Sequence, residues 1–120
     1  MAARDEAYGG FVVSMRVLDG TPIGFTFRER SSFEQLNGWT VYSVEDDDGY
    51  VSDPSNFRIV TASTLLSSAP LSGALLEVFD APYGTDLGWV YEEGVLTGFW
   101  DMARDEATTV GEILGGGPRS

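Results

Sequence analysis

Four consecutive carboxylates, Glu45, Asp46, Asp47 and Asp48, followed shortly by Asp53, are the residues of this chain with the clearest chemical capacity. Three uses compete for them. A hard cation such as calcium takes six to eight oxygen ligands, so a run of acids is a natural starting point for a metal loop. The spacing argues against the familiar version: placing Gly49 at the sixth position of a calcium-binding loop puts Val44 at the first and Ser55 at the twelfth, where carboxylates are required. Glycoside hydrolysis needs two carboxyl groups on opposite sides of a sugar bond, about 5 to 10 Å apart, and neighbours along one loop are a poor source of that geometry. The third use needs no catalytic geometry. An acidic loop flanked by the amphipathic aromatics Trp39 and Tyr50 has the make-up of a protein-binding surface, with an aromatic anchor and a charged rim that attracts a basic partner. A solvated loop between strands is the plain alternative.

The rest of the composition narrows the choice. The 120 residues contain no His, Cys or Lys, which removes Ser/His triads, cysteine nucleophiles, Schiff-base lysines and His/Cys zinc sites together. No phosphate-binding loop is present, because Gly9-Gly10 and Gly115-Gly116-Gly117 lack its lysine and spacing. Seven basic against nineteen acidic residues give a formal charge of -12, which repels nucleic acid and anionic lipid and favours a cationic partner. Neither a signal-peptide core nor a run of roughly eighteen apolar residues occurs, so a soluble, cytoplasmic, non-enzymatic protein without metal or cofactor is expected.

Positioning these residues is the task of the surrounding elements. Phe11, Val13, Met15 and Val17 alternate along a strand from Phe11 to Leu18. After the turn formers Asp19-Gly20-Thr21-Pro22, Ile23, Phe25 and Phe27 alternate with Thr26, Arg28 and Arg30, and the two runs read as a β-hairpin. Trp39 to Val44 is suited to a third strand, and Phe57 to Val60 to a fourth after the Asp53-Pro54-Ser55-Asn56 turn. Thr61 or Ser63 caps a short helix stopped by Pro70, and Leu71, Leu75, Leu76 and Phe79 form the stripe of a second helix ending before Pro82 and Gly84. Leu87 to Tyr91 and Val95 to Trp100 flank a Glu92-Glu93-Gly94 turn, and the sheet is expected to end there. The expected fold is α+β, a mainly antiparallel sheet with one or two short helices packed on one face. The expected organisation is a flexible start at residues 1–9, one domain over 10–101, and a largely flexible extension over 102–120.

Gly38-Trp39-Thr40-Val41-Tyr42-Ser43, the acids Glu45 to Asp48, Tyr50, Asp53-Pro54-Ser55-Asn56 and Ala81-Pro82-Tyr83-Gly84 form an ordered series that resembles the bacterial immunity protein 33 family, and Phe27-Arg28-Glu29 matches its aromatic-Arg-Glu element. The resemblance spans roughly Gly10 to Tyr91. Two positions depart from the pattern: Leu36-Asn37-Gly38 lacks an Asp before Trp39, and Ser43-Val44 stands where Gly-Asp is expected. The resemblance implies a protein made beside a polymorphic toxin that neutralises it by binding. On that reading the contact surface is Trp39, Glu45, Asp46, Asp47, Asp48, Tyr50 and Asp53, and the partner is a cognate toxin, expected to be basic. The rival readings are a small carboxylate-based metal-binding or hydrolytic module and a regulatory domain with another protein partner.

Overall fold

A computed structural model describes residues 8–115. Seven strands form one sheet in the order β4-β1-β3-β2-β5-β6-β7. They are β1 (Gly10–Ser14), β2 (Ile23–Arg28), β3 (Leu36–Ser43), β4 (Phe57–Val60), β5 (Asp86–Glu92), β6 (Val95–Asp101) and β7 (Glu106–Thr108). The β1–β3 pairing is parallel and the others are antiparallel, so the α+β class with a mainly antiparallel sheet holds. The helical segments are shorter and more numerous than expected. Among the described residues they are α1 (Met15–Leu18), α2 (Asp48–Val51), α3 (Ala62–Ser68), α4 (Gly73–Glu77) and α5 (Val110–Gly115), with 3-10 turns at Pro54–Asn56 and Pro70–Ser72. No helix among the described residues is long and apolar enough to cross a membrane.

The expected strand from Phe11 to Leu18 is cut in half. Ser14 turns its hydroxyl onto the Arg16 amide and starts α1, so the chain leaves the sheet at Met15 while Val17 still reaches the core. The expected β1–β2 hairpin is also absent, because β3 lies between the two strands. Phe11, Val13 and Ser14 are fully buried, and a strand so enclosed belongs inside a sheet with a neighbour on each side. Parallel β3 and antiparallel β4 supply those neighbours.

One face of the sheet carries the core. Phe11, Val13, Ile23, Trp39, Val41, Leu87, Trp89 and Phe99 pack there against Val17, Ala62, Leu65, Leu75, Val78 and Ile113 from the helices. Thr61 caps α3 as expected, accepting a hydrogen bond from the Thr64 amide at 3.2 Å. The Leu71-to-Phe79 stripe is realised differently. Pro70 starts a 3-10 turn and the helix stops at Val78, leaving Leu71 exposed and Leu75 and Val78 buried. That early stop frees the Phe79 carbonyl, which accepts from Arg28 at 2.8 Å and from the Trp39 indole at 3.0 Å.

The sheet continues beyond Trp100, contrary to expectation. Trp100 pairs with Ala107 and Phe99 with Thr108 in β7, and Ile113 of α5 is buried, so residues 106–108 and 110–115 stand in regular elements. Residues 1–7 of the expected flexible start and 116–120 of the extension lie outside the described residues. Tyr8, in contrast, meets Phe79 edge to face at 4.8 Å, and its carbonyl accepts from the Asn37 side chain at 2.8 Å.

Candidate functional site

The acidic run sits on the connection between β3 and β4, and its carboxylates separate into two roles. Asp46 points inward. Its side chain has no exposed surface and accepts from the Ser43 amide at 2.8 Å, the Ser43 hydroxyl at 2.6 Å and the Arg16 guanidinium at 3.3 Å. Burial alone raises the pKa of such a carboxyl; the hydrogen bonds from Ser43, Ser14 and Arg16 outweigh it and hold Asp46 below the usual carboxylate value. Arg16 also donates to the Glu45 carbonyl at 2.8 Å and lies 3.9 Å over the Tyr50 ring.

The remaining acids face outward, and Asp47, Asp48 and Asp53 occupy helix-starting positions. Asp47 caps α2 through the Tyr50 amide at 2.8 Å, and Asp53 caps the Pro54–Asn56 turn through the Ser55 amide at 3.0 Å and hydroxyl at 2.7 Å. The Ser55 bonds hold the Asp53 carboxyl below its ordinary value, the hydroxyl contributing more than the amide. Glu45, Asp47, Asp48 and Asp53 are exposed, whereas Tyr50 is half-buried against Phe57 at 6.2 Å. Asn56 ties the two turns together by donating to the Tyr50 carbonyl at 2.9 Å. Among the described residues no group of three or more acids is placed to hold a metal ion.

Two of the expected contact residues therefore change role. Trp39 is 1% exposed and belongs to the core, so it offers no surface to a partner. Asp46 is spent on Ser43 and Arg16 and fixes the shape of the loop. Glu45, Asp47, Asp48 and Asp53 are exposed and Tyr50 is half-buried, all on the connection between β3 and β4.

A second surface lies beside it that alternation along the sequence concealed. A bulge at Gly24 lets Ile23 face the core while Phe25 and Phe27 turn to the opposite face of the sheet. Residues directly opposite in a ladder share a face, and the register joins Ile59, Val12, Thr40 and Phe27 in one line and Tyr42, Phe25, Gly88 and Trp100 in the next. Phe25, Phe27, Tyr42, Phe57 and Tyr50 touch in series, with ring centroids 5.4 to 6.2 Å apart. Part of this face opens as a groove of about 440 Å³ floored by Val12, Phe27, Thr40 and Tyr42 and walled by Val51, Pro54 and Phe57. Glu29 stands on its edge. Burial first, then the charges of Glu29 and Asp46, raises the Tyr42 phenol above its ordinary value.

The short motifs quoted above have structural roles in this arrangement. Phe27 faces the open side and Glu29 edges the groove, while Arg28 reaches the other way and donates to the carbonyls of Asn37, Phe79 and Ala81 at 2.8 to 3.0 Å. The Ala81-Pro82-Tyr83-Gly84 segment closes on the same residue, with the Gly84 amide on the Arg28 carbonyl at 2.7 Å and the Tyr83 ring 4.8 Å from its guanidinium.

No curated protein and no solved structure matches the chain significantly. A family model does match, over residues 11–97, from Phe11 in β1 to Thr97 in β6, and it takes in every motif just described. The chain belongs to the family of the immunity protein Imm33 domain.

Proposed function

We propose that this protein is the immunity partner of a bacterial toxin, which it binds stoichiometrically and neutralises in the cytoplasm without catalysis. Membership of the Imm33 domain family carries the reading. Its charge supports the finer statement that the toxin is basic. A formal charge of -12, with Glu45, Asp47, Asp48 and Asp53 exposed around the half-buried Tyr50, gives long-range attraction to a cationic domain and short-range contacts on arrival. Nucleic acid and anionic membranes are disfavoured by the same charge.

Co-expression with the product of the adjacent gene, in a host that this product alone kills or arrests, is the direct test. Rescue together with co-purification of a stable complex is the expected result. A toxic neighbour that is neither bound nor neutralised overturns the pairing. The metal-module alternative has its own measurement: a calcium- or magnesium-dependent rise in Tm at millimolar concentration, which the immunity reading does not expect.

A further inference from the structure

Among the described residues the open face of the sheet meets only the short α2 and the Pro54–Asn56 turn, which wall one end of it, whereas the longer helical segments pack on the other side. Apolar and aromatic side chains run across it from Ile59 on β4 to Trp100 on β6, and the two ends, Ile59 and Trp100, are 64% and 37% exposed. Contiguous apolar surface of this kind on a small domain marks a place where something docks. The charges around it say what kind. Glu29 is on the groove edge, Asp47 and Asp48 sit at the start of the helix that contributes Val51 to its wall, Asp53 precedes the wall residue Pro54, and Asp105 accepts from the Trp100 indole at 3.1 Å. Among the described residues none of these five acids is in an ion pair. Arg58 lines the same groove and keeps its charge while donating to the Ser55 and Phe57 carbonyls at 3.1 and 3.0 Å, so the acid excess around the groove comes from Asp47, Asp48, Asp53 and Asp105 together with Glu29; Arg16 is held by Glu45, Asp46 and Tyr50.

We infer that this open sheet face is the surface that receives the toxin, and that the toxin segment it receives is basic, with an Arg or Lys side chain entering the groove over Tyr42 toward Glu29. The inference rests on the immunity reading for the identity of the partner, and on the groove alone for its chemistry. An aromatic floor attracts a cation through its ring faces, and a carboxylate at the end of the groove completes the contact. The aliphatic stem of the same side chain covers Val12 and Phe27. A second copy of the chain is the wrong occupant on charge grounds, since each copy carries -12.

The test has two arms. In the first, the purified product of the neighbouring toxin gene is titrated with the wild-type chain and with Ile59→Asp, Glu29→Gln and, as a control on the exposed end of β5, Glu92→Gln, each variant checked for an unchanged far-UV spectrum. Weakening of about tenfold or more for the first two and less than about twofold for the control is expected. Equal affinity across all four chains overturns the inference while leaving the immunity reading intact. In the second, the ¹⁵N-labelled chain alone is titrated with an Arg-Leu-Arg peptide blocked at both ends and with its Glu-Leu-Glu counterpart. Amide shifts concentrated at Val12, Phe27, Thr40, Tyr42 and Phe57, with the basic peptide only and reduced in Glu29→Gln, are expected. Shifts scattered over the surface, or equal for both peptides, overturn the groove assignment. If the toxin is not bound but the peptide pattern appears, the immunity reading fails and the basic-segment site stands. Concentration-dependent dimerisation abolished by Ile59→Asp assigns the face to a second copy and overturns it.

Discussion

At the scale of single residues, the acidic loop is held in shape by the one carboxylate that never reaches solvent. Asp46 accepts from Ser43 twice and from Arg16 once, so Asp46→Ala leaves the Ser43 amide and the Arg16 guanidinium without their acceptor. A loss of about 2 kcal/mol in urea unfolding at pH 7 is expected. The sign with pH follows from its low folded pKa. Because the value lies below the ordinary 3.8, the stabilisation is fully present above that pH and is lost as pH falls through the folded value. The variant should therefore lose its disadvantage in strong acid. Asp86 has the opposite sign: burial, then the charge of Asp101, raises its pKa, so ionised Asp86 disfavours the fold at neutral pH and the disadvantage fades as pH drops through the raised value. Asp86→Asn should be more stable than wild type at pH 7, with the difference closing as pH falls through the raised value. A destabilised Asp86→Asn at neutral pH would contradict this account.

At the scale of elements, Gly24 decides which surface exists. A Cβ at this position would stand 2.7 Å from the Val44 Cα and 2.9 Å from its amide nitrogen, contacts with backbone that cannot move aside without opening the β2–β3 ladder. Gly24→Ala should cost about 2 kcal/mol and, where the chain still folds, disturb the Phe25 and Phe27 resonances before those of Trp89. The strands were legible because their composition is plain: Phe57 to Val60, Leu87 to Tyr91 and Val95 to Trp100 stand within a residue or two of their expected places. Their partners were not, since alternation reports which side chains share a face and says nothing of which strand lies alongside. Nor does it register a bulge, so alternation puts Phe25 and Phe27 on one face with Ile23 although they face the other way. The clue was present on β3, where Trp39 and Val41 alternate with Thr40 and Tyr42: a strand with aromatics on both faces has two surfaces to fill.

At the scale of the whole molecule, the proposed binding assigns encounter to charge and residence to the open face. Replacing Glu45, Asp47 and Asp48 together with neutral residues should slow association with the toxin by about tenfold at low salt and flatten its salt dependence, with dissociation nearly unchanged, as stopped-flow measurements over an ionic-strength series will read. An unchanged association rate in a folded variant removes these acids from the encounter surface. Of the seven residues the sequence offers as a contact surface, the structure withdraws two. Trp39 is too well satisfied, with its indole on the Phe79 carbonyl, and Asp46 too enclosed, for either to meet a partner. Sequence proximity counts neighbours along the chain, and burial is decided by neighbours across it.

The strand order carries one more consequence, in time rather than space. β1 emerges before the other six strands of the sheet during synthesis, yet it lies between β3 and β4, so both of its ladders wait for residues 36 to 60. The β2–β3 and β5–β6 hairpins are local and close quickly; the parallel insertion of β1 pairs distant parts of the chain and belongs to the slow end of folding. This enclosed strand thus stays unpaired until β3 and β4 exist. Its fully apolar positions, Phe11 and Val13, are the ones a folding chain must keep from the wrong partner longest.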